Sequence, residues 1–342
     1  EQLDNEAGQL LAGTALSLHA QQLNNSRGII AADGKVTIDA STVINADAAV
    51  IAAAEVELDA ASLTNINQAR IEGQQLTLNT DTLDNSGILL ATGSQGETLR
   101  LNTRLLNNQG RIESHGDQFT LQNLQLNNQQ GQIYHLGTGV LQLDYLGELN
   151  NEQGQIYAES ALRINGDNLN NRSGSLAAKQ VLQLTVADAD NHKGAIQAGA
   201  GLVIVADNLN NQQGVIAADG NIRLSAQQLD NSYGQLLQLG TGTLTVDSVK
   251  TLTNSQGLIY TSGALVLQAD ELDNSTGELQ AGAILFRGAR LNNRDGKILA
   301  IGQQADNLIL QADDLLDNSA GTIYSAGGTA RISATSINNN AG

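Results

Sequence analysis

The eighteen residues that begin at Leu23, LNNSRGIIAADGKVTIDA, return almost unchanged at Leu209 as LNNQQGVIAADGNIRLSA. A unit of about 20 residues has too little apolar surface to bury by itself, so a chain built from such units has to stack them. Anchoring each copy on the second residue of its Asn-Asn or Asp-Asn pair gives 17 anchors between Asn5 and Asn339, most of them 20 residues apart. Asn or Asp precedes 14 of these anchors, and glycine follows 15 of them at two or three positions. The phrase is therefore a structural period.

Within a copy the apolar residues keep fixed phases: Ile30, Ala32, Val36, Ile38, Ala40 and Val43 after Asn25, and Ile216, Ala218, Ile222, Leu224, Ala226 and Leu229 after Asn211. Pairs spaced by two describe short strands with alternate residues inward. Corners fall at Asn-Asn-x-x-Gly and at pairs such as Asp33-Gly34 and Asp219-Gly220. Alanine at the second inward phase leaves room for only a small side chain. The expected fold is all-β, a right-handed parallel β-helix of about 17 coils of roughly 20 residues. Coils rising by the strand spacing of about 4.8 Å would give a rod of about 80 Å. Residues 1–342 read as one repeat segment.

The composition follows from this coil. There is no proline among 342 residues, because proline would delete a bond of a continuous ladder. The 36 glycines are expected to supply positive φ at the corners, with Asn as the next most tolerant residue. Stacked Asn side chains can also hydrogen-bond from coil to coil. The expected corner ladder includes Asn25, Gly28, Asn108, Gly110, Asn171, Gly174, Asn211, Gly214, Asn274 and Gly277. Asp replaces the first Asn at Asp4, Asp84, Asp190, Asp230, Asp273 and Asp317, never in successive coils, which fits avoidance of stacked carboxylates.

Four intervals are longer by three residues or more. Their extra residues lie near Gly93, Gly137, Gly240 and Gly302, and read as bulged corners. The phrase Leu-Gly-Thr-Gly starts at Leu136 and again at Leu239, an offset of 103 that also relates Asn151 to Asn254 and points to a duplicated block of five coils. Ala48 and Ala69 stand where glycine is expected, so a looser corner is anticipated there. The chain begins inside one corner phrase and stops just after another, as a segment of a longer array without its caps would.

Chemistry finds little footing. Zero cysteines exclude disulfides and thiol chemistry, and a net charge of -18 without a basic run opposes nucleic-acid binding. No apolar run is long enough for a membrane-spanning helix. His19, His115, His135 and His192 lie on different coils and are expected to face solvent; no catalytic, metal or cofactor residues emerge. A β-helical polysaccharide enzyme would gather paired carboxylates over one groove, whereas the carboxylates here are dispersed. The aromatic residues are the one candidate partner surface: Tyr134 and Tyr157 should stack outward, with His135 and Tyr145 in the same region, as a wall for a glycan or receptor or as packing that stiffens the strand.

The phrase Leu-[Asp/Asn]-Asn-x-x-Gly-x-[Ile/Leu]-x-Ala, as at 23–40, 169–186, 209–226 and 272–289, closely resembles the haemagglutinin repeats of filamentous haemagglutinins and contact-dependent growth inhibition effectors. The resemblance covers essentially the whole chain. It implies a large exoprotein that a dedicated outer-membrane partner transporter secretes to the surface of a Gram-negative bacterium, with a parallel β-helical repeat region and adhesive or toxic activity often carried elsewhere. It implies a stalk that presents distal domains and supports contact with target cells.

Overall fold

A computed structural model describes residues 1–342, with the side chains of all but Ser248 and Val249. The chain is an all-β parallel solenoid of about 17 turns, without a helix. It divides into two compact units, Glu1–Asn170 and Asn171–Gly342.

In the first unit each coil contributes a short strand after the Asn corner and a longer one after the second corner, as in Ile29–Ala32 and Lys35–Ala46. The short strands stack in parallel and in register, so that Ile30, Ile51, Ile71, Leu89, Ile112, Ile133 and Ile156 form one column. Every member is almost wholly buried. Burial of each such side chain stabilises by about 1.5–3 kcal/mol, and a column multiplies that gain coil by coil. Beyond Asn108 the long strand divides in two, giving Phe119–Asn123 with Gln125–Asn127, and Val140–Tyr145 with Glu148–Asn150.

The second unit repeats the arrangement. Ile196, Ile216, Leu236, Ile259, Leu279 and Ile298 form the corresponding buried column. In two coils the short and long strands fuse into continuous elements, Leu258–Asp273 and Glu278–Asn292. The expanded corners fall between strands as expected, at 92–98, 136–139, 239–243 and 301–307.

The corners correct two expectations. Positive φ belongs to the residue before the glycine: Arg27 at 57°, Gln213 at 56°, Thr276 at 56°. Only Gly96 and Gly328 among the glycines adopt it. Glycine is required instead by the coil before. A Cβ on Gly214 would lie 2.3 Å from the carbonyl oxygen of Asn191 and 2.7 Å from Oδ1 of Asn211. Gly28 and Gly277 are confined in the same way, at 2.3 and 2.0 Å from the carbonyls of Asn5 and Asn254.

The coils lacking this glycine are not looser. Register aligns Ile29 with Val50 and Val50 with Arg70, so Ala49 and Ala69 occupy the glycine position, and Ala48 does not. Both are fully buried. The corner there is one residue longer and carries two left-handed residues, Asp47 and Ala48 or Asn67 and Gln68, which accommodates the methyl group. At Asn85-Ser86-Gly87 and Asn108-Gln109-Gly110 it is one residue shorter, with no positive φ.

Candidate functional surface

The anchor asparagines form a continuous internal amide ladder within each unit. In the first, each Nδ2 of Asn5, Asn25, Asn45, Asn65, Asn85, Asn108 and Asn128 donates to Oδ1 of the next anchor at 2.7–2.8 Å, as far as Oδ1 of Asn151. In the second the series runs from Asn171 through Asn191, Asn211, Asn231, Asn254, Asn274, Asn293 and Asn318 to Asn339 at 2.6–2.8 Å. The other amide hydrogen is met as well: Nδ2 of Asn211 also faces the carbonyls of Gly214 and Gln235. Buried amides bonded on all sides stabilise a unique register, because a slipped coil would strand them.

The residue before the anchor does two further things. Its side chain accepts the backbone N–H two residues on, as Asp190 does from His192 and Asn210 from Gln212, both at 3.0 Å, which is an Asx turn. It also forms an outer ladder in which an Asn donates to the Asp of the preceding coil: Asn24 to Asp4, Asn107 to Asp84, Asn210 to Asp190, Asn292 to Asp273. At these four of the six Asp positions the following coil supplies an amide donor, whereas Asp230, followed in register by Thr253, accepts from Gln212 instead. At Asp317 the Ser319 hydroxyl holds the carboxyl below its usual range.

Tyr134 and Tyr157 are neighbours in register, with ring centroids 6.3 Å apart and planes at 88°, an edge-to-face pair. The Arg111 guanidinium lies 5.3 Å from the centre of the Tyr134 ring and is ion-paired with Glu113, which also meets His115. Both phenols are engaged, Tyr134 donating to Gln155 at 2.5 Å and Tyr157 to Glu159 at 2.8 Å. This is a cross-strand cluster that uses its own polar groups. Tyr260 and Tyr324 have Gln280 and Leu299 as register neighbours and form no such pair.

Two residues expected on this surface are not there. Tyr145 is 4% exposed and His135 is completely buried. Both follow the inward phase, Leu141–Leu143–Tyr145 and Ile133–His135, whereas Tyr134 and Tyr157 occupy the outward one. The Tyr145 ring lies over Gly166, where a Cβ would come within 2.3 Å of it, and burial pushes its phenol pKa upward. Beside it runs a shallow groove lined by Arg104, Leu124, Asp144 and Leu146. The Tyr145 hydroxyl and the Asn123 Oδ1 have no partner, but both atoms are sealed from solvent and offer a ligand nothing.

No group of three His, Asp or Glu side chains among the described residues is placed to hold a metal ion. Among the described residues no helix is long and apolar enough to cross a membrane.

A family model for the haemagglutinin repeat matches residues 2–102, 95–144, 147–226, 188–253 and 239–342. No curated protein and no solved structure matches the chain.

Proposed function

Because the chain belongs to the haemagglutinin repeat family, we propose that it is the structural stalk of a large exoprotein, secreted through an outer-membrane partner transporter to the surface of a Gram-negative bacterium. There it holds domains carried elsewhere in the protein away from the producing cell and supports adhesion or contact with a target cell. The observation that carries this reading is the direction in which the polar groups are used. The anchor amides, the Asp and Asn of the outer ladder and the corner glycines all serve the adjoining coil. Such a surface is selected for repeating along one direction, not for converging on one substrate.

The duplicated block offers the test. Removing residues 152–254 from the full-length exoprotein brings Asn151 to Ser255, one corner phrase onto its own copy. A stalk then gives a shorter filament at the cell surface with the distal activity retained. Loss of target-cell binding at unchanged surface expression would overturn the stalk reading and assign the contact to the wall itself.

A further inference from the structure

The second inward column of the first unit contains alanine or serine on either side of one large ionisable residue. Ala91 is in register with Ser114, Ser114 with His135, and His135 with Ala158. The imidazole is completely buried, 6.3 Å from the ring centre of Phe119, and neither nitrogen has a hydrogen-bond partner. The carbonyl of Ser114 faces it but already accepts the N–H of Leu136 at 2.8 Å. A column read from sequence as admitting only small side chains thus holds a histidine, in a coil expanded to 23 residues.

The duplicated block supplies an internal comparison. His135 corresponds to Gln238, 103 residues on, immediately before the second Leu-Gly-Thr-Gly. Gln238 is equally buried but fully engaged: its Nε2 donates to the Asp219 carbonyl at 3.0 Å, and its Oε1 accepts from Thr261 Oγ1 at 2.7 Å. The expanded corner therefore admits a large polar side chain in both copies. Only the glutamine copy satisfies it.

We propose that His135 makes the 128–151 coil an acid-sensitive release point, at which protonation expels the ring and opens the strand Gln132–His135 with its following corner while the other coils stay closed. A neutral imidazole can remain in this apolar place, whereas an imidazolium brings a charge and two N–H donors that need acceptors. The ionisable groups around it are Arg111, Glu113 and His115 on the coil before with Asp117 in the corner after them, Asp144 and Tyr145 on the strand Val140–Tyr145, and Tyr134, Tyr157 and Glu159 along the outer face. None bonds to a ring nitrogen, and Glu113 is held by Arg111 and His115.

The sign is set by burial, which lowers the folded pKa of His135 below its unfolded value near 6.5; the Ser114 carbonyl opposes this to a lesser extent, and the His115 charge adds to the lowering. The unfolded coil then binds the proton more readily than the folded one. Stability is complete above about pH 6.5 and falls as the pH drops toward the folded value.

Hydrogen exchange on the 342-residue chain, corrected for intrinsic chemical rates, tests this at about pH 7.5 and about pH 5. Protection of residues 132–139 is expected to fall at least about threefold on acidification, while that of 235–242 around Gln238 holds. His135→Gln copies the duplicate coil, and His135→Ala copies the neighbouring coils; both should abolish the acid response while retaining His115. An acid response in 132–139 that survives in both variants, or none in the original chain, would overturn the proposal.

Discussion

A corner glycine and the residue before it divide the work of the turn between them. Gln213 bends the chain with φ at 56°, a conformation that costs a non-glycine residue about 1–2 kcal/mol, while Gly214 keeps ordinary φ and lets the coil below approach. The sequence phrase showed that a glycine was needed but not for which reason, since a positive φ and a close backbone approach select the same residue. The cost of a side chain follows from the geometry. Gly214→Ala places a methyl group against the Asn191 carbonyl and the Asn211 amide together, and is expected to destabilise the second unit by about 2–3 kcal/mol. Gly13, with nothing within 4 Å of its missing Cβ, supplies the control. Gly13→Ala is expected to change stability by less than about 0.5 kcal/mol, read as the shift in urea midpoint.

At the scale of the coil, the element that recurs is a buried amide rung with a solvated rung outside it. Asn211→Ala leaves Oδ1 of Asn231 buried without its donor, although Nδ2 of Asn191 keeps the Gly194 and Val215 carbonyls. The expected loss is about 1–3 kcal/mol in urea unfolding. Asn107→Ala removes an exposed amide of the outer ladder that bonds Asp84, and is expected to cost less than about 0.5 kcal/mol. Equal losses for the two would remove the distinction between inner and outer ladders.

The inner ladder was legible because its period of about 20 runs through the entire chain, and so was the pairing of the two tyrosines. The placement of His135 and Tyr145 was legible too, by period two from Ile133 and from Leu143, but nearness along the chain is a poor guide to which face a strand residue takes. What the pattern could not disclose was the five-step corner at Asn45 and Asn65, since an added residue there is balanced by one fewer at the next corner and the interval stays at 20.

Across the whole molecule, the haemagglutinin repeat matches and the parallel stacking in both units describe a protein whose copies are interchangeable parts. Repeat arrays gain stability from each unit and its two interfaces, so a complete copy can leave without undoing the rest. The net charge of -18 suits such a surface, keeping separate chains from adhering to one another. The decisive comparison lies within the second unit, between two deletions. Removing 192–211 takes out one full coil and joins Asn191 to Gln212, so that Asn191 can donate to Asn231 as it did to Asn211. Removing 192–201 takes half as many residues and turns inward columns onto the corner. Far-UV circular dichroism followed through urea unfolding is predicted to show native strand content and one cooperative transition for the full-coil deletion, and loss of both in the second unit for the half-coil deletion. Equal tolerance of the two, or collapse of both, would contradict the stacked-coil account.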